Sequence, residues 1–334
     1  MIISRTPFRV SLFGGGSDYP RWYREHGGAV LGFAINKYCY ISLRRLPPFF
    51  PHKHRVVYSI VETVADTADI QHPAVRNVLQ EMHVDFGVEI HHDGDLPARS
   101  GLGSSSSFTV GLLNALYALD NRMVTKHHLA EQAIHIEQEV IAESVGSQDQ
   151  IWASYGGMNR IEFQPDNTFN VQPIIMSPER RQALLGSFLL FFTGHSRIAS
   201  DIASRKIMNL SQKQAHIRRM MKMVGESEAI LTDDRNELSD IGTLLDEAWC
   251  LKRELADGIT NSEIDDIYET ACAAGANGGK LLGAGGGGFV LVQAPPERHA
   301  KIRDALRKLI CVELDVDMTG SKVVVYEPDG LDTR

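Results

Sequence analysis

Glycine is concentrated at three places in this chain of 334 residues: Gly14-Gly15-Gly16, Gly101-Leu102-Gly103 running into Ser104 to Ser107, and Gly283-Ala284-Gly285-Gly286-Gly287-Gly288. A smaller group spans Gly275 to Gly279. Glycine is costly in chain entropy, so clusters beside regular structure mark backbone that must approach something closely. The first cluster ends an alternating run in which Phe8, Val10 and Leu12 face a core and Arg9, Ser11 and Phe13 the other way. It delivers Asp18 at a strand end. That carboxylate belongs either to a site or to a solvated hairpin turn.

The second cluster lies between a strand signal, Val88 to His91, and a helix signal, with Phe108, Leu112, Leu116 and Leu119 on an amphipathic stripe. Strand, Gly/Ser loop and helix N-terminus together bind phosphate, because free N–H groups and the positive end of the helix dipole face the loop. Four consecutive serines exceed what an N-cap needs, and one hydroxyl can serve Mg²⁺. No Gly-Lys-Ser/Thr is present, so the loop is not a Walker A motif. The third cluster contains Gly-x-Gly-x-x-Gly, but the strand Phe289 to Val292 follows it where a dinucleotide site needs a helix. The expectation there is close passage of two chain segments or of a ligand.

The formal charge of -8 disfavours nucleic acid, and it requires local cations or a metal wherever phosphates bind. No run approaches the roughly 20 apolar residues of a membrane span, and the N-terminus reads as a strand rather than a signal peptide. Cys39, Cys250, Cys272 and Cys311 form no Cys-x-x-Cys pair and are expected to be buried free thiols in a reducing cytoplasm.

A helix is expected over Thr125 to Val145, its far side carrying Glu131, Gln138 and either Glu137 or Glu139. Asp149 follows between Gln148 and Gln150. It is either a buried carboxylate partnered by Arg9 or a capping residue of a helix starting near Gln150. A phosphate cradle, a hydroxyl and a carboxylate for Mg²⁺, and a group to orient the acceptor are the parts that phosphoryl transfer needs.

Further helices are expected over residues 211–231, 236–257, 262–276 and 297–310, with strands at 188–193 and 322–326 and a turn at 165–167. A change from strand-rich to helix-rich sequence places a domain boundary at 176/177, giving domains 1–176 and 177–334. The proline-broken basic stretch Arg44 to Arg55 is a solvated loop or part of an anion site.

In order and spacing, the segments Thr6 to Tyr19, Gly101 to Ser106 and Gly283 to Gly288 resemble the three motifs of the GHMP kinases. The resemblance implies an α+β, two-domain fold: an N-terminal domain like domain 2 of ribosomal protein S5 and a ferredoxin-like C-terminal domain. It implies an ATP- and Mg²⁺-dependent sugar 1-kinase, with Asp149 as the catalytic carboxylate and Arg9 stabilising it. Pro97, Ser100, Gly101, Leu102, Gly103, Ser104, Ser105 and Ser106 match the nucleotide loop. Ser105 and Glu137 match the metal ligands, with Glu139 as the alternative. Asp18 matches a sugar ligand, and Gly15, Gly16, Ser17, Gly146, Arg197, Gly285 and Gly286 surround the acceptor.

The segments Val145 to Gln150, Phe192 to Arg197 and Gly279 to Phe289 resemble the branch that phosphorylates the anomeric position of D-glycero-D-manno-heptose 7-phosphate. L-fucose kinases share parts of them. Galactokinases carry Glu-His where this chain has Gly15-Gly16, a loss that favours a larger or phosphorylated acceptor. Arg44, Arg45, Lys53, Arg55 and Arg197 are candidate partners of the second phosphate. The expected partners are therefore ATP and a sugar phosphate, with no nucleic acid and no membrane, in a cytoplasmic monomer or homodimer. A neutral-sugar kinase and a non-catalytic sugar or nucleotide sensor are the competing readings.

Overall fold

The computed structural model describes residues 1–194 and 200–328. The first half of the chain comprises β1 (Ile2–Phe13), α1 (Pro20–His26), β2 (Gly28–Arg45), β3 (His54–Val57), β4 (Val61–Val64), α2 (Pro73–Glu81), β5 (Val88–Gly94), α3 (Ser104–Leu119), α4 (Lys126–His135), α5 (Gln148–Tyr155), β6 (Met158–Phe163) and β7 (Phe169–Pro173). The second half comprises α6 (Pro178–Gly186), β8 (Phe188–Phe192), α7 (Ser200–Asn209), α8 (Gln214–Thr232), α9 (Asp240–Arg253), α10 (Ser262–Ala274), β9 (Gly278–Leu281), β10 (Phe289–Gln293), α11 (Pro296–Ala305), β11 (Ile310–Val312) and β12 (Lys322–Tyr326).

Two sheets result. The larger runs β12-β1-β2-β5-β3-β4, with β6 and then β7 added along the first half of β2; the smaller is an antiparallel β11-β8-β10-β9. Strand β2 can serve both β5 and β6 because its 18 residues outrun any one neighbour. The chain crosses from the first sheet into the helix-rich half between β7 and α6, and β12 returns to pair antiparallel with β1.

Local chemistry explains most boundaries. Thr125, Ser177 and Asn261 cap α4, α6 and α10 by accepting from the N–H three residues on, and Gly275 closes α10 in the left-handed region. Helix α3 differs from expectation. From Ser106 to Leu119 nearly every residue is buried, so it is a central helix covered on all sides, packed on β1 and β2, rather than an amphipathic one. The helix expected to reach Val145 also ends early: α4 passes at Ile136 into a π-helical turn through Val140. Cys39 is buried as expected, but Cys250 is exposed because α9 turns that face to solvent; all four cysteines are free thiols. Among the described residues no helix is long and apolar enough to cross a membrane.

Candidate active site

Strand β1 is covered on both faces, so its alternation separates two buried environments rather than core from solvent. On one side Phe8, Val10 and Leu12 enter the main core; on the other Arg9 and Ser11 meet α5. Arg9 donates from Nε and one terminal nitrogen to the two oxygens of Asp149, at 2.7 and 2.6 Å, and from the other terminal nitrogen to Gly101 O at 2.6 Å. Such a forked, charge-assisted pair fixes both groups in orientation as well as distance. Asp149 lies in the first turn of α5, and its carboxylate bonds Arg9 rather than capping a backbone N–H. The helix begins two residues earlier than expected, at Gln148.

The Gly/Ser loop runs directly over this pair. A Cβ on Gly103 would lie 3.2 Å from Arg9 Cγ and 3.4 Å from Asp149 Oδ2. Gly103 is the left-handed N-cap of α3, and Arg99 N is held by Ser104 Oγ at 2.9 Å. Pro97 and Ser105 are exposed, Leu102 is buried beneath the loop, and the buried Ser100 Oγ has no protein partner. The first turn of α3 thus offers its free N–H groups beside the Arg9–Asp149 pair.

The hydroxyl facing Glu137 belongs to Ser106, not Ser105. Ser106 Oγ donates to Glu137 Oε2 at 2.8 Å, and Gln150 Nε2 donates to the same oxygen at 2.5 Å. The reason is rotation: successive residues of a helix point about 100° apart, which turns Ser105 to solvent. Glu137 is fully buried and Glu139 is exposed, so only Glu137 of the two candidates points inward. Burial pushes the Glu137 carboxyl up to about 7. Its second oxygen, Oε1, is buried without a hydrogen-bond partner. An orphan carboxylate oxygen beside a serine hydroxyl is a hard oxygen donor set of the kind Mg²⁺ takes when phosphates and waters complete its shell.

Asp18 is buried, not solvated. Gly16 N and Gln148 Nε2 donate to its two oxygens at 2.9 and 2.7 Å, and Ser11 Oγ donates to Gln148 Oε1 at 2.8 Å. A Cβ at Gly146 would overlap this carboxylate, so Gly146 is a requirement of Asp18's position. Gly15 is half-buried above Ser11. Ser17 does not face the cleft: its hydroxyl is used by Gly14 O, Ala29 O and Ala29 N. Gly285 and Gly286 meet Ile259, with Gly286 N donating to Ile259 O at 2.9 Å. The third cluster does allow two chain segments to pass. A Cβ on Gly101 would sit 2.7 Å from Leu282 O, and one on Gly283 would overlap Gly101 itself. Arg197 lies outside the described residues.

The basic stretch is not an anion site at this cleft. Arg44 and Arg55 bind the buried Glu89, at 2.6 and 3.0 Å, and Arg45 lies over Phe86. Along β2, Arg44 is ten residues beyond Ala34, the partner of Arg9, or about 33 Å at ~3.3 Å per residue. Sequence reasoning missed three buried lysines that do approach the site. Lys252 Nζ donates to Leu281 O and Gly283 O, both at 2.7 Å, and Lys280 Nζ to Leu12 O at 2.7 Å. Lys206, from α7, lies beside Gly16. Burial lowers the proton affinity of all three. A glycine-rich strand was the only local hint of Lys280, and nothing marked Lys206 or Lys252.

A helix N-terminus with free N–H groups beside an Arg-fixed carboxylate, with a second buried carboxylate near it, is the set of parts a phosphotransferase with an alcohol acceptor uses. Two sequence profiles match the chain: GHMP kinases N terminal domain over residues 69–157 and GHMP kinases C terminal over 228–310. The chain belongs to the GHMP kinases, ATP-dependent enzymes of that class. It is 28% identical over 319 residues to a D-glycero-alpha-D-manno-heptose 7-phosphate kinase of Campylobacter jejuni, covering 92% of this chain and 93% of the relative. To a bifunctional fucokinase/GDP-fucose pyrophosphorylase of Arabidopsis thaliana it is 27% identical over 322 residues, covering 88% of this chain but 30% of the relative. Its fold matches the crystal structure of a D-glycero-D-manno-heptose 1-phosphate kinase from Bacteroides thetaiotaomicron, with TM-score 0.79, 21% identity, and 98% and 100% of the two chains covered.

Proposed function

We propose that this GHMP sugar kinase transfers the γ-phosphoryl group of ATP to the anomeric hydroxyl of D-glycero-D-manno-heptose 7-phosphate, giving the 1,7-bisphosphate for nucleotide-heptose synthesis in the cytoplasm. The observation that carries the chemistry is the Arg9–Asp149 fork lying under the Gly/Ser loop. The choice of acceptor is supported by the full-length similarity to the C. jejuni heptose 7-phosphate kinase.

In this reading the N–H groups at the start of α3 receive the triphosphate. Ser106 and Glu137 would hold Mg²⁺, which supplies neutralisation of phosphate charge. Asp149 orients the acceptor hydroxyl and takes its proton as the new O–P bond forms and the bond to the leaving ADP oxygen breaks. Arg9 holds Asp149 in place and faces the charge that moves during transfer. Asp18 accepts from a sugar hydroxyl, oriented by Gln148. The acceptor lies where the domains 1–176 and 177–334 meet.

ADP release measured over a panel of free sugars and sugar phosphates, with the product's phosphate position read by ³¹P NMR, tests the reading. The heptose 7-phosphate should exceed L-fucose and galactose in kcat/KM by at least about tenfold, the discrimination expected from a charged group recognised by its own partner. Preference for free L-fucose would instead favour the activity named for the A. thaliana relative.

A further inference from the structure

The acceptor side of the cleft holds a cation that neither the motifs nor the family profiles mark. Lys206 projects from α7, in the second half of the chain, to the first glycine cluster. A Cβ built on Gly16 would lie 3.5 Å from its Cε and 3.6 Å from its Nζ, with Ile217 of α8 at 2.8 Å completing the wall. A side chain at position 16 would therefore clash with Ile217 Cδ1 and touch Lys206 at ordinary contact distance. The space beside Gly16 is bounded by Ile217 and by this lysine. Gly16 N also donates to Asp18, so Lys206 and Asp18 flank the same peptide.

The side chain is buried, at 6% exposure, yet among the described residues its Nζ forms no hydrogen bond. Its aromatic neighbour is Tyr19, whose ring centre is 5.2 Å from Nζ. Lys252 and Lys280, by contrast, are bonded to backbone carbonyls. An ammonium group has three donors, and among the described residues none of those on Lys206 is committed to a protein acceptor. Asp18 and Asp149 attract it; Lys252, Lys280 and Arg9 add positive charge from α9, β9 and β1.

We propose that Lys206 is a positioning residue for the acceptor, donating from Nζ to an acceptor oxygen that Asp18 holds from the opposite side. The acceptor subsite is then built from both halves of the chain and is complete only when α7 packs on Gly16 and Tyr19. This inference rests on reading the Asp18–Asp149 cleft as the acceptor site.

The test compares Lys206→Met with wild type, using whichever acceptor the wild-type enzyme turns over best. Lys206→Met should raise the acceptor KM at least tenfold and leave the ATP KM within twofold. Losing the nearby cation should also move the acid limb of acceptor kcat/KM to higher pH, because Lys206 opposes the upward push of burial on Asp18. Lys206→Gln, which keeps a donor, should fall between the two. Should Lys206→Met fail to fold by circular dichroism, Lys206→Gln carries the test through the same split in KM values. A folded variant with an unchanged acceptor KM and an unmoved acid limb overturns the proposal. If Asp149→Asn in the same assay keeps full turnover, the underlying reading of the cleft fails instead.

Discussion

Arg9 and Asp149 are 140 positions apart in the chain, and each alone is ambiguous. Their pairing was nevertheless legible, because a buried carboxylate needs a cation and β1 turns Arg9 toward the same side as Ser11. Which serine faces Glu137 was not legible. That choice depends on the helical phase of α3, set by the left-handed N-cap at Gly103 rather than by spacing along the chain. Glu137 itself carries a pH consequence. Its folded-state affinity for a proton lies above the ordinary value of 4.5, near 7, so the native state binds that proton more tightly than the unfolded one. Its contribution to stability is therefore full below about 4.5 and is lost as pH rises through 7. Metal binding needs the ionised carboxylate and runs the other way. A Mg²⁺ titration of initial rate should show the half-saturating concentration falling up to about tenfold per pH unit between 6 and 7, then levelling. Ser106→Ala should raise it at pH 8 several-fold, whereas Ser105→Ala leaves it near wild type; equal effects of both would move the hydroxyl ligand elsewhere.

At the level of elements, the glycine clusters announced close approach but not what approaches what. Gly101 and Gly283 meet backbone to backbone, so the third cluster is a seat for the phosphate loop. Cluster and loop are separated by most of the chain, which is why composition alone could not pair them. Gly283 also has φ +71°, in the left-handed region. Gly283→Ala therefore combines a steric overlap with backbone strain of about 1 kcal/mol. Thermal unfolding should show a loss of at least about 2 kcal/mol, with the ATP KM raised because the loop is displaced; an unchanged Tm would mean the two segments do not press on one another. Helix ends were the least legible feature. The π-helical turn at Ile136–Val140 adds a residue to one turn and lifts Glu137 inward, a detour that 3.6-residue periodicity does not predict.

Across the whole molecule, an acidic chain of formal charge -8 brings four basic side chains together near Asp18 and Asp149. Arg9, Lys206, Lys252 and Lys280 come from β1, α7, α9 and β9, and only the folded topology brings them together. In the basic stretch Arg44 to Arg55, more conspicuous along the sequence, Arg44 and Arg55 instead bind Glu89 at the far end of β2. Strand β12, the last element among the described residues, closes the arrangement by pairing with the first, β1, the strand that carries Arg9. The central claim is that one carboxylate, fixed by Arg9 beneath the Gly/Ser loop, activates the acceptor. Single-turnover phosphoryl transfer by Asp149→Asn, measured beside its ATP dissociation constant, tests this most directly. The expected result is a rate lower by about 10²–10⁴-fold, with ATP affinity within about twofold of wild type because the nucleotide loop is untouched. Transfer at a near-normal rate would contradict the account.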